Sequence, residues 1–259
     1  MKAMVLAAGL GTRLRPLTDD RPKALVMVAG RTLLEIVLLR LRSFGVDEVI
    51  VNAHYRGNMI EEFLEARENF GMHIKLSPEE TLLDTGGGLR KASHFFLGPG
   101  SSIDEPFILH NVDVLSTIDL GGMVQFHREQ GALATLAVQH RTSSRYLLFD
   151  EKGEFCGRRS DQRSSAEASS NGTPGDQMVR LTERTEPLAF TGIHVLSPRI
   201  FDKMSGQGVF SVIDAYLQLA SQGEKVVAFR ADDCYWRDVG RAENVAAAEQ
   251  DVASGLLAI

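Results

Sequence analysis

The strongest constraint on this chain lies in its opening residues, Met4-Val5-Leu6-Ala7-Ala8-Gly9-Leu10-Gly11-Thr12-Arg13-Leu14, followed by Pro22-Lys23. A short apolar run of this kind reads as a buried strand, and it feeds directly into a tight loop with two glycines. The loop ends on a hydroxyl and a cation, and a lysine follows. Backbone N–H groups and side-chain charge then point the same way, a surface that favours anionic phosphates. Gly9 and Gly11 make G-x-G, but Leu14 stands where the dinucleotide fingerprint has its third glycine, which disfavours a nicotinamide oxidoreductase. No G-x-x-x-x-G-K-[ST] phosphate loop occurs, and no G-x-S-x-G of a serine hydrolase.

Apolar segments alternate with helix-periodic ones along the rest of the chain. That pattern predicts an α/β fold, a Rossmann-like, mostly parallel sheet with helices on both faces, formed as one domain over 1–259. Strands are expected over 3–6, 48–52, 73–76, 106–110, 132–139, 188–196, 226–229 and 235–239. A hairpin is expected over 146–155, with Lys152-Gly153 near its turn. Helices are expected over 33–44, 58–69, 88–96, 122–130, 211–221 and 241–254, with Gly45 and Gly71 as stops and Ser211 as an N-cap. Residues 158–177 differ: they are rich in Ser, Asp, Gln, Gly and charge and almost devoid of apolar residues. Such a segment cannot bury enough surface to offset its ordering entropy, so a mobile polar insertion is expected there, with a substrate lid as the lesser alternative.

The 259 residues are 44% hydrophobic, enough for a substantial core, and carry a formal charge of -6. An acidic chain argues against a nucleic-acid partner. Anionic small substrates remain open because Arg13, Arg15, Arg21 and Lys23 concentrate positive charge locally. The two cysteines, Cys156 and Cys234, have neither C-x-x-C nor zinc spacing and read as reduced thiols. The N-terminus does not resemble a signal peptide and no apolar stretch is long enough to span a bilayer, so a cytoplasmic enzyme without a membrane partner is expected.

Parallel α/β sheets bind ligands beyond the C-terminal ends of their strands. Four segments offer chemistry at such ends: the glycine loop, Glu80–Gly88, Asn111-Val112-Asp113 and Trp236-Arg237-Asp238-Val239-Gly240. Asp113 and Asp238 come from distant parts of the chain and match the habit of magnesium, which takes one or two protein carboxylates and completes its shell with water and phosphate oxygens. Gly86, Gly87 and Gly88 would let backbone approach a flat nucleobase, or would make a flexible turn before a helix. His110 precedes Asn111 and reads as a packed strand histidine.

Taken together, Leu6-Ala7-Ala8-Gly9-x-Gly11-Thr12-Arg13-Leu14-x-Pro16-Leu17-Thr18, Pro22-Lys23, Leu83-Asp84-Thr85-Gly86-Gly87-Gly88, Asn111-Val112-Asp113, Thr191-Gly192-Ile193-His194 and Trp236-Arg237-Asp238-Val239-Gly240 resemble the sugar-1-phosphate nucleotidylyltransferase family. The resemblance spans nearly the whole chain apart from the polar insertion. It implies the nucleotide-diphospho-sugar transferase fold and transfer of a nucleoside monophosphate from a triphosphate to a sugar 1-phosphate, with release of pyrophosphate. It implies Leu6, Ala7, Ala8, Gly9, Gly86 and Gly87 at the base, and Gly11, Thr12 and Arg13 at the triphosphate. It further implies Lys23 at the reacting phosphates and Mg2+ on Asp113 and Asp238. Arg13, Lys23 and Asp113 would be catalytic, and Asn111, Glu183 and Gly192 would meet the sugar. The compact length looks most like N-acetylmuramate 1-phosphate uridylyltransferases. Mannose-1-phosphate guanylyltransferases and glucose-1-phosphate thymidylyltransferases are close alternatives, and homo-oligomer formation is left open. A non-catalytic nucleotide-sugar-binding subunit is a further alternative, disfavoured because Lys23, Asp113 and Asp238 are all present. Met27 and Thr32 stand where relatives usually have proline. Glu183-Arg184 stands where many have Glu-Lys, whose lysine grips the sugar phosphate.

Overall fold

The computed structural model describes residues 1–98, 100–160 and 176–259. In chain order its elements are β1 (Lys2–Leu6), β2 (Met27–Val28), β3 (Arg31–Thr32), α1 (Leu33–Ser43), β4 (Glu48–Ala53), α2 (Gly57–Ala66) and β5 (His73–Pro78). They continue with α3 (Asp84–Lys91), α4 (Ser93–Phe96), β6 (Phe107–Asn111), β7 (Val114–Ser116), α5 (Leu120–Gln130), β8 (Ala134–Gln139), β9 (Arg145–Phe149) and β10 (Phe155–Ser160). The last are β11 (Gln177–Met178), β12 (Glu186–Leu196), α6 (Ile200–Lys203), α7 (Val212–Ser221), β13 (Val226–Arg230), β14 (Trp236–Asp238) and α8 (Ala242–Ala253).

Four strands run parallel in the order β5-β4-β1-β6, and β12 then joins β6 antiparallel. Beyond β12 lies β8, antiparallel to it and parallel to β13, so the main sheet is mostly parallel with one reversed strand. Alternate strand residues face opposite ways, as the two-residue period requires. Ala3 and Val5 pack with Leu34, Leu38 and Ile60 on one face, while Met4 packs with Leu89, Phe96 and Tyr216 on the other. Helices therefore cover both faces.

Strand β12 is where the sheet forks. Its first residues, Glu186–Leu188, pair with β9, and its last, Ile193–Leu196, pair with β6. Between them its register against β8 shifts, at a point where Gly192 adopts a positive φ of 83°. The antiparallel strands β9, β10 and β11 extend from the fork. The expected polar insertion begins and ends in this ladder: Arg158 pairs with Gln177, and residues 161–175 lie outside the described residues.

Most expected elements recur with ends shifted by a residue or two. Thr32 explains one departure from the proline pattern, because its hydroxyl caps α1 by accepting from the Glu35 N–H at 3.1 Å. The three glycines expected to precede a helix lie inside α3 instead. The strand expected over 235–239 appears as β14 and forms a short ribbon with β7, which had no periodic signature; the ribbon pairs Asp238 with Val114 and draws the Val239 N–H to the Asp113 carbonyl at 2.8 Å. Among the described residues no helix is long and apolar enough to cross a membrane.

Candidate active site

Strand β1 lies between β4 and β6, which lead away in opposite directions. A crevice therefore opens beyond its C-terminal end, where the glycine loop begins. The loop is held from beneath by a buried polar relay. Asn52, at the end of β4, accepts at Oδ1 from the N–H groups of Ala7 (2.7 Å) and Ala8 (3.3 Å). Its Nδ2 donates to Glu79 Oε1 at 2.7 Å, and Glu79 Oε2 accepts from the Leu83 N–H at 3.0 Å. Asn52 and Glu79 are both buried. Glycine-loop N–H groups expected to face a ligand are thus partly committed to the protein. Gly11 adopts a positive φ of 65°, and its carbonyl accepts from the Thr18 hydroxyl at 2.9 Å.

Four charged groups gather at the crevice. Lys23 Nζ donates to Asp113 Oδ2, both side chains being largely buried. The β7–β14 ribbon sets Asp238 beside Asp113. A point one bond off the Gly240 Cα lies 2.7 Å from Asp238 Oδ1, 3.0 Å from an Arg13 terminal nitrogen and 3.3 Å from Asp113 Oδ2. A side chain at position 240 would fill that space, so glycine there is a packing requirement. Burial, and then the neighbouring Asp113 charge, push the Asp238 carboxyl above its ordinary value, against the lowering effects of the Gly240 N–H, Lys23 and Arg13.

Two cavities meet here, sharing Asn111 and Asp113. The smaller, about 400 Å3, is lined by Leu6, Ala8, Gly9, Lys23, Leu82 and Thr85 among others. The larger, about 1020 Å3, is lined by Arg13, Asn111, Asp113, Gly192, Trp236 and Asp238, with Arg141, Arg145, Arg158, Arg159 and Arg241 on its walls. Gly192 presses on Asn111: a Cβ there would meet Asn111 Nδ2 at 2.7 Å.

Residues 2–155 match the family described as nucleotidyl transferase. Over 97% of this chain and 96% of the relative, the sequence is 34% identical to the N-acetylmuramate alpha-1-phosphate uridylyltransferase of Caulobacter vibrioides. The chain belongs to the nucleotidyl transferase family. It is a sugar-1-phosphate nucleotidylyltransferase. It is also 27% identical to the mannose-1-phosphate guanylyltransferase of Mycobacterium tuberculosis, over 98% of this chain and 65% of that protein. A solved structure described as a putative glucose-1-phosphate thymidylyltransferase from Bacillus anthracis shares the fold, with a TM-score of 0.74 at 16% identity over 96% of this chain and 94% of that one.

The nucleotidyltransferase brings together Arg13, Lys23, Asn111, Asp113, Gly192 and Asp238, all expected at the site. Leu6, Ala8 and Gly9 line the smaller cavity, whereas Ala7, Gly11 and Thr12 line neither. Two expected groups lie apart from the cavities. Gly86 and Gly87 do not line the smaller cavity; both N–H groups donate to the Phe210 carbonyl, at 2.9 and 3.2 Å, and a Cβ on either would collide with the 208–210 loop. Their lack of side chains seats α3 against that loop, and the neighbouring Asp84 and Thr85 reach the cavity wall. Glu183 and Arg184 lie exposed on the loop before β12 and line neither cavity. Sequence reading missed Asn52, Glu79 and Arg141. A lone polar residue ending a predicted strand was the only signal for the first, and a Gln-His-Arg tail after a strand the only one for the last.

His110 sits beneath the crevice with Nδ1 2.8 Å from the Asn111 carbonyl; burial lowers its pKa to about 4, so it is a neutral, packed histidine.

Proposed function

We propose that the enzyme transfers a uridylyl group from UTP to N-acetylmuramate α-1-phosphate and releases pyrophosphate. The observation that carries this reading is the convergence of Lys23, Arg13, Asp113 and Asp238 where the two cavities join. The smaller cavity, with Leu6, Ala8, Gly9 and Leu82 on its wall, suits the nucleoside; the larger suits the sugar. The choice of sugar and base is supported by the end-to-end similarity to the uridylyltransferase. The arginine-weighted wall also suits a sugar that bears a carboxylate besides its phosphate.

In this mechanism an oxygen of the sugar 1-phosphate attacks the α-phosphorus. The new P–O bond forms as the bond to the β-phosphate breaks, and pyrophosphate leaves with the electron pair. The nucleophile is already an anion, so no general base is required. The barrier is the meeting of anions and the charge on the leaving group, which positioning and fixed charge reduce. The Lys23 ammonium has three donors and Asp113 occupies one, which leaves the others for the α-phosphate. Arg13 offsets charge on the departing pyrophosphate. Ala7, Gly11 and Thr12 shape the loop that holds the triphosphate, and Asn111 and Gly192 border the sugar. Asp113 and Asp238 present two neighbouring hard oxygen donors, a set that fits magnesium. When bound there, the ion supplies Lewis-acid charge to phosphate oxygens.

Pyrophosphate release from four nucleoside triphosphates crossed with several sugar 1-phosphates, with magnesium and with a chelator, tests this reading. UTP with N-acetylmuramate 1-phosphate is expected to give the highest kcat/KM. A higher value for another pair overturns the substrate assignment, and release that persists under chelation removes magnesium from the account.

A further inference from the structure

The sugar-side wall carries a guanidinium in an unusual state. Arg141, just after β8, stacks on the Trp236 ring with its Cζ 3.6 Å from the ring centroid. Its Nη2 donates to the Phe190 carbonyl at 2.9 Å. The Nε atom is buried and has no hydrogen-bond partner, and no described residue accepts from Nη1. No described carboxylate forms an ion pair with it. Its surroundings disfavour the cation, chiefly through desolvation, and the more distant Asp238 charge only partly compensates.

A half-buried, partly desolvated cation without an anionic partner contributes little to stability, and a neutral residue would fill the space at no greater cost. Here it is also held firmly. The Trp236 ring fixes the guanidinium plane, and the Trp236 indole N–H is in turn tied to the Thr191 carbonyl at 2.7 Å. A planar fork fixed in this way, with donors unspent, is built to receive an oxyanion. Its position decides which one. Trp236 is two residues from Asp238 on β14, and Arg141 lines the larger cavity together with Asn111, Asp113 and Asp238. The Glu183-Arg184 pair that the sequence offered for gripping the sugar phosphate lies outside that cavity.

We propose that Arg141, oriented by Trp236, binds the phosphate group of the sugar 1-phosphate. The proposal rests on reading the larger cavity as the sugar side. Bound phosphate would accept from the Nη1 donors, which have no acceptor among the described residues and, unlike Nε, are not buried, and Trp236 is a positioning residue for that contact.

The test is steady-state kinetics of Arg141→Gln and Arg141→Lys, varying each substrate separately, together with their melting temperatures. Arg141→Gln is expected to raise KM for the sugar 1-phosphate by roughly ten- to a hundredfold, as loss of a hydrogen bond to a charged group does, and to leave KM for the triphosphate unchanged. Arg141→Lys, which keeps charge without the fork, is expected to fall between. The melting temperature should hold or rise, because a purely structural arginine would lower it. Should Arg141→Gln not fold, Arg141→Lys carries the KM comparison alone. Unchanged sugar kinetics overturns the role of Arg141 but leaves the cavity assignment intact. A rise in KM for the triphosphate instead overturns both. A loss seen with N-acetylmuramate 1-phosphate but not with N-acetylglucosamine 1-phosphate, which lacks the carboxylate, overturns phosphate as the anion.

Discussion

The two cavities share Asn111 and Asp113, yet they are built in opposite ways. The smaller is positioned largely by chain path: a glycine loop anchored through Ala7 and Ala8 to Asn52, and the start of α3 seated by Gly86 and Gly87. The larger is walled by side chains projecting from β6, β9, β10, β12 and β14, many of them arginines. A cavity whose place is set by the chain path moves only if the chain is rerouted. A wall made of side chains can change its chemistry residue by residue over an unaltered sheet. Substitutions beneath the first are therefore expected to couple stability to nucleotide use, and those on the second to alter sugar use alone.

The largest effect is expected where the cavities join. Lys23→Ala should lower pyrophosphate release by more than a hundredfold, on the order of 3 kcal/mol, with the fold retained by circular dichroism. Turnover within tenfold of the parent would detach Lys23 from the reaction and leave the junction without its proposed centre.

Acid should distinguish the scaffold beneath the sugar side. His110 on β6 and His194 on the adjoining β12 are buried, and desolvation lowers their pKa values from 6.5 to about 4 and about 3. Between pH 6.5 and those values the unfolded chain binds protons that the folded chain refuses. Stability should be flat above pH 6.5 and fall as pH drops towards 4, by on the order of 3 kcal/mol for His110. Thermal unfolding across that range measures it, and His194→Gln should flatten the slope; an unchanged slope would show that His194 does not report on acid unfolding.

Asn52→Ala probes the nucleotide side. It orphans the Ala7 N–H and leaves Glu79 without its amide, so it should cost about 2 kcal/mol and raise KM for the triphosphate but not for the sugar 1-phosphate. Equal effects on both KM values would erase the contrast between the cavities. Gly192→Ala is the smallest change. Its positive φ and the close Asn111 amide should cost more than about 1 kcal/mol, with KM rising for the sugar 1-phosphate alone.

The legibility of the sequence followed the same division. Strand β1, the glycine loop, Lys23 and the two acidic segments were readable because buried parallel strands are continuous apolar runs and phosphate-facing loops need glycine and local cations. The three glycines did not read as part of α3 because glycine is a poor helix former, and only the 208–210 loop, distant in sequence, shows why glycine is needed there. Glu183 was placed by the resemblance, from the Glu-Lys pair that many members carry before the sugar-side strand, and a matched motif does not say which way a loop turns. Strand β7 escaped notice because three residues are too few to show a period, and its pairing with the expected strand at β14 is a tertiary contact.

By itself the sequence determined the alternation of strand and helix, the glycine loop and the identities of the charged residues, since each is written in local apolar period, turn chemistry or motif. Tertiary structure alone decided that Asp113 and Asp238 meet, that Asn52 and Glu79 underpin the loop, and that Arg141 stands desolvated against Trp236. Those facts depend on pairings between segments up to more than a hundred residues apart, and a contact of that kind leaves no trace in the spacing of either segment.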